Sequence, residues 1–265
     1  MAFLLLALGS FYASSLKRNT SEVSGFHPIR DDSLAHRFAP GLISEGLGPD
    51  KLLYRMSRSS EGYIHIAYFF VWPFERNDAP GMGAFLSRMF YTGGLSLQSI
   101  LFGPGDVEVI TLVLDQAADP EKYRVRSLHF ETARNYDPSR FGVDHQPMDF
   151  HFAGPEKDHT QTSRESPGAA QDPETVRGNE QSRASIHSTS PDELIFEVMS
   201  WNHMFRWIRD LDPENRNSEI LRLKPAYFSQ EDWQYYRMFK PVESVLTRNR
   251  AHPEFSREIA EPITL

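Results

Sequence analysis

Gly103-Pro-Gly-Asp-Val-Glu-Val-Ile-Thr-Leu-Val-Leu-Asp115 begins with turn-forming residues and then alternates. It reads as a β-strand entered through a tight turn. Successive side chains of a strand point to opposite faces, so Asp106, Glu108, Ile110, Leu112 and Leu114 share one side, and Val107, Val109, Thr111 and Val113 the other. Both sides are apolar beyond the first turn, which puts the strand in the middle of a sandwich or barrel. Its entrance carries two carboxylates on the leucine side, about 6.5 to 7 Å apart at Cα. Two arrangements fit them: both acids solvated ahead of the core, or their oxygens converging on one hard cation or one proton donor.

The neighbouring segments extend the pattern. Tyr63-Ile-His-Ile-Ala-Tyr-Phe-Phe-Val-Trp72 is apolar on both faces and stops at Pro73, the signature of a central strand. Its His65 reads as hydrogen-bonded structure. Glu75 and Asp78, in the turn-forming stretch that follows, are placed to reach a site at the end of the sheet or to be solvated loop acids. Tyr123 to Glu131 alternates again, close enough to Asp115 for an antiparallel hairpin, which brings His129 toward Asp106 and Glu108. Phe141 to Phe152, a loop and edge strand, holds Asp144, His145, Asp149 and His151. Glu193 to His203 is a further strand with Trp201 and His203 on one side. Ser33 to Pro40 is a short helical turn with Ser33 as N-cap, and Gly41 to Asp50 is loop. A short helix is expected between Phe85 and Phe102. Ser229 with Asp232 starts a helix carrying Trp233, Tyr236 and Phe239 as a packing stripe.

The totals bound the class. At 265 residues the chain can be one large β domain or two small ones, and 40% hydrophobic with 12% aromatic content is ample for a core. A formal charge of −8 argues against a phosphate-gripping nucleic-acid binder. With no cysteine, disulfides, thiolate catalysis and Cys-based zinc sites are excluded.

Met1 to Tyr12 is an apolar run followed by small residues and then Lys17-Arg18, like the core of a signal or anchor segment but too short to span a bilayer. A signal or anchor there implies a secreted or membrane-associated protein; an N-terminal strand or helix packed on the domain implies a cytoplasmic one. Gly154 to Asp192 contains no Leu, Met, Phe, Tyr or Trp and reads as a disordered surface insertion. The expected organisation is therefore a leader and spacer over residues 1–28, the first part of a β-sandwich over 29–153, the insertion over 154–192, and the closing strands with a C-terminal aromatic helix over 193–265. The fold class is mainly β, a single β-sandwich with peripheral short helices.

Several motifs fall in one order: Leu34-Ala-His-Arg-Phe-Ala-Pro40, Phe-Phe-Val-Trp-Pro-Phe74, Gly105-Asp-Val-Glu108, Ser127-Leu-His129 and Trp201-Asn-His203. This order resembles the vacuolar-sorting-62-like family and its relatives, the necrosis-inducing NPP1-like proteins. The resemblance implies a β-sandwich whose central strand opens with a Gly-His-x-x-Asp-Trp-Glu type motif. In the toxin-like relatives the acids and histidines hold a divalent cation beside the surface that meets membrane glycolipid. Position by position, it implies a metal set of Asp106, Glu108, His129 and His203. Val107 stands where the family has Trp, and Gly103 and Gly105 where it has histidines, so this set has fewer ligands.

Three functions follow, in order. The first is a surface or secreted sandwich that binds a lipid or glycan headgroup around Ca²⁺ or Mg²⁺, with Mn²⁺ or Zn²⁺ second, and with Glu75, Asp78 and His145 as further binding residues. The second is a trafficking or structural module that captures a protein partner through the insertion. The third is a metal-dependent hydrolase, ranked last because no nucleophile elbow, His-Glu-x-x-His, phosphate loop or Rossmann fingerprint occurs. Binding is thus favoured over catalysis.

Overall fold

The computed structural model describes residues 25–46, 48–92, 103–116, 123–152, 194–209, 219–236, 238 and 263–264. The apolar N-terminal run and the expected insertion lie outside the described residues.

The chain is mainly β, two sheets packed face to face with short helices at the periphery. Its strands are β1 (Phe26–Arg30), β2 (Gly41–Ile43), β3 (Lys51–Ser59), β4 (Ile64–Trp72), β5 (Asp106–Gln116), β6 (Tyr123–Arg134), β7 (Asp144–His151), β8 (Ile195–Val198), β9 (Phe205–Ile208), β10 (Ala226–Tyr227) and β11 (Ile263–Thr264). The helices are α1 (Asp32–Arg37), α2 (Met82–Ser87), which runs into a π-helical turn Arg88–Thr92, and α3 (Gln230–Tyr235). The large sheet runs β11-β1-β3-β4-β5-β6-β7, with β10 beside β1 on the outer edge of β3; the small sheet runs β2-β8-β9.

The two central strands form because their side chains are apolar on both faces, and both faces are covered. Every residue of β4 is buried. On one face Ile66, Tyr68, Phe70, Trp72, Ile110 and Leu112 meet Leu42, Leu194, Phe196 and Phe205 of the small-sheet layer. On the other, Ala67, Phe69, Val71 and Val107 meet Phe228, Trp233 and Tyr236. Arg55, 1% exposed, joins this second layer: its guanidinium lies 3.9 Å from the Trp233 ring and donates to the Phe228 carbonyl and Gln230 Oε1. Ser229 caps α3, as its spacing predicts: its Oγ accepts from the Asp232 N–H at 3.0 Å and its hydroxyl donates to Asp232 Oδ2 at 2.8 Å.

Three local expectations are corrected. The N-cap of α1 is Asp31, whose Oδ1 accepts from the Leu34 N–H at 2.9 Å, so the helix starts before Ser33. Gly41 to Ile43 is a fully buried strand, because β8 offers it a parallel edge and Leu42 enters the core. The strand expected to run to His203 ends at Val198, and a turn carries the chain on from there.

Candidate functional site at a fork in the large sheet

β5 and β6 pair from Gln116 opposite Tyr123 to Ile110 opposite Phe130. Beyond that point they part. Asp106 to Val109 pair with β4, and Glu131 to Arg134 with β7, leaving a notch between the two strands. The connection between β8 and β9 fills it. Met199 and Met204 close this hairpin loop through an N–H to carbonyl bond of 2.9 Å, and the His203 N–H donates to the Ser200 carbonyl at 3.0 Å. His203 then takes a left-handed backbone, φ 60°, the residue that bends such a turn back into the second strand. Outside glycine this conformation is uncommon, and histidine is among the residues enriched in it.

The loop is tied to every strand around the notch. His203 Nδ1 lies 2.7 Å from Asp106 Oδ2 on β5, and its ring stacks flat on Trp72 of β4, centroids 4.2 Å apart. Asn202 Nδ2 lies 3.1 Å from His145 Nε2 on β7, while His145 Nδ1 lies 2.6 Å from Glu131 Oε2 on β6. Since the amide nitrogen can only donate, His145 accepts at Nε2 and gives its Nδ1 proton to Glu131. Ser200 Oγ donates to Asn202 Oδ1 and accepts from the Met204 N–H. Thr132 donates to Met199 Sδ, and the Trp201 N–H donates to the Tyr136 hydroxyl at 3.2 Å. Burial pushes the Tyr136 phenol up from its ordinary value.

Beside this loop opens a cavity of about 570 Å³. Ser44, Glu45 and Gly46 form one side; Phe74, Arg76 and Asp78 another; Tyr136, Val198, Met199, Ser200, Trp201 and His203 the rest. Arg76 and Asp78 pair at 2.6 Å on its rim. Gly105 positions Asp106 at the mouth of the notch: its φ is +68°, and a Cβ there would lie 2.6 Å from the Trp72 carbonyl oxygen.

The sequence-derived residues divide as follows. Asp106 and His203 come together. Glu108 is buried on the same face, opposite Phe70, and Asp78 lies on the cavity wall. Glu75 is buried, 1% exposed, and is absent from the cavity lining. His145 braces the loop from behind through Asn202. His129 does not join them. It sits opposite Thr111, so it shares the face of Val107 and Val109, the far side from Asp106 and Glu108, and its Nδ1 lies 2.7 Å from Asp149 Oδ1. Parity decides this, because cross-strand partners share a face and Thr111 is an odd step from both acids. A bulge at Val113/Leu114, with Arg126 as the extra residue, also puts Val125 on the core side with Leu128 and Phe130. The four-residue metal set is therefore not assembled, and among the described residues no group of three or more His, Cys, Asp or Glu is placed to hold a metal ion. The residues that alternation misses are Asn202, Tyr136 and Glu131. The Trp201-Asn-His203 run is a local signal for Asn202 alone.

No protein-family model, curated protein or solved structure matches the chain.

Proposed function

We infer that the chain is a β-sandwich binding module that seats a polar headgroup, of a lipid or a glycan, in the cavity at the fork. The observation that carries this reading is the cavity wall itself: an imidazole fixed by a fully buried carboxylate and a flat indole, beside Tyr136 and Trp201. A fixed polar group among aromatic walls is the usual composition of a small-molecule site. With Nδ1 engaged by Asp106, the nitrogen left for a ligand is Nε2. Arg76, Asp78, Glu45 and Ser44 supply both charges and a hydroxyl for a polyhydroxylated or zwitterionic group.

A location at a membrane surface is supported by the ground next to the cavity. Phe74, on its wall, is 40% exposed, and α2 with the turn after it exposes Met82, Phe85, Leu86 and Met89, spaced as one helical face. Among the described residues no helix is long and apolar enough to cross a membrane, so this face would lie on a bilayer and not span it. The cation is not needed for the reading, since the residues as placed do not converge on one.

The test is calorimetric titration with soluble phospholipid headgroups and monosaccharides, and with vesicles carrying the corresponding lipids, in EDTA and then with Ca²⁺, Mg²⁺, Mn²⁺ or Zn²⁺. Saturable binding that falls at least tenfold in His203→Ala and Trp201→Ala is expected. Absence of heat with every headgroup and every ion removes the proposal. A second reading, hydrolysis with His203 as base, is favoured by the Asp106–His203 pair alone; turnover of ester and glycoside substrates, lost in Asp106→Asn, would put it first.

A further inference from the structure

At the β7 and β9 edges of the sandwich, next to the notch through Thr132, the edge strand of each sheet faces the other. β7 contributes Met148 and Phe150; β9 and the residue after it contribute Arg206, Trp207 and Arg209. Between them lies a slot of about 200 Å³, floored by Phe130. Its walls are ordered aromatic contacts: Phe130 and Phe150 stack at 5.9 Å, and Phe150 meets Trp207 edge-on at 5.1 Å.

The two arginines differ. Arg206 Nε lies 2.8 Å from Glu197 Oε2 and its Nη2 donates to the same oxygen, so this cation is already matched. Arg209 is held otherwise. Its guanidinium carbon lies 4.8 Å from the Phe150 centroid and 5.1 Å from that of Trp207, and no carboxylate pairs with it among the described residues. A guanidinium lying against rings is pinned in orientation while its N–H groups remain in its own plane, a fork suited to two oxygens of a carboxylate or phosphate.

We propose that this slot is a second binding site, for a small amphiphilic anion whose carboxylate or phosphate is gripped by Arg209 and whose apolar body enters between Phe130, Met148, Phe150 and Trp207. Arg209 is exposed, so the anion needs no conformational change to reach it.

The experiment uses the full chain and three probes: benzoate, phenyl phosphate, and the neutral benzyl alcohol, each followed by the Trp207 indole N–H in two-dimensional NMR. Benzoate or phenyl phosphate is expected to move this signal saturably in the millimolar range, at least tenfold more tightly than benzyl alcohol. The tighter of the two anions identifies the headgroup. Arg209→Met keeps the stem on the rings and is expected to abolish the preference for the anions, with an unchanged circular dichroism melt. Arg209→Lys retains charge without the fork and is expected to fall between. A Trp207 signal indifferent to both anions, an Arg209→Met variant that binds them like the parent, or inorganic phosphate binding as tightly as phenyl phosphate would overturn the proposal.

Discussion

The imidazole of His203 lies 2.7 Å from Asp106, 97 residues earlier in the chain, and the Asp106 side chain has no exposed surface. A buried carboxylate that loses its imidazole contact loses part of what offsets its desolvation. His203→Ala should therefore destabilise the fold by about 3 kcal/mol, within the range for breaking one side of a buried pair. Adding Asp106→Asn to that variant should restore part of the loss, since the remaining group is then neutral. Urea unfolding of both variants checks this, and a His203→Ala midpoint equal to the parent's would mean that the carboxylate does not depend on the ring.

The backbone at position 203 can be separated from the ring. Glycine adopts φ 60° without the Cβ contact that alanine suffers there. His203→Gly and His203→Ala lose the same imidazole, yet the glycine variant should be the more stable by about 1 kcal/mol. Equal unfolding midpoints would show that the turn relaxes in one of them.

Gly105→Ala meets two obstacles at once, a left-handed φ and the Trp72 carbonyl oxygen 2.6 Å from the new Cβ. A loss of about 2 kcal/mol or more is expected, because the blocking atom is backbone and cannot rotate away. Near-ultraviolet circular dichroism of Trp72 should change together with the melt; a stable variant with an unchanged spectrum refutes the close approach.

Tyr54 and Tyr68 set the alkaline limit. Burial raises both phenols above the ordinary value of 10.0, most strongly for Tyr68, whose hydroxyl donates to the Ala35 carbonyl at 2.7 Å. For a group whose folded pKa is raised, stability is complete below the unfolded value and is lost as pH rises above it. Tyr54 and Tyr68 should ionise only with global unfolding, seen as a late step at 295 nm that coincides with loss of the far-ultraviolet signal. Tyr68→Phe should cost about 1 to 3 kcal/mol by leaving the buried Ala35 carbonyl without its donor.

At the acid end Asp32 acts in the opposite sense. The Tyr54 hydroxyl first, and Arg30 second, hold its carboxyl below 3.8. Its contribution is present above that value and is lost as pH falls through the lower folded value. The group is largely exposed, so the effect is small after solvent screening. In Tyr54→Phe the Asp32 carboxyl should titrate at higher pH than in the parent, measurable by carbon NMR; no change would show that the hydroxyl is not its main partner.

Strands and their faces are legible from residue order wherever alternation and burial agree. β4 and β5 present the rows that period two assigns to them, and Ser229 with Asp232 caps α3, because these properties are set by neighbours within a few residues. Residue order also placed Asp106 at the strand entrance with its side chain toward the core. Which histidine meets that acid depends instead on long-range packing. Position 129 was close along the hairpin, but pairing opposite Thr111 sends its ring through to the other face. Position 203 was remote, yet a fork between β5 and β6 leaves space that the β8–β9 loop fills, and a left-handed turn aims its ring at Asp106. Alternation carries no information on where two paired strands part company, because that depends on what the outer strands β4 and β7 and an incoming loop offer in place of the lost hydrogen bonds.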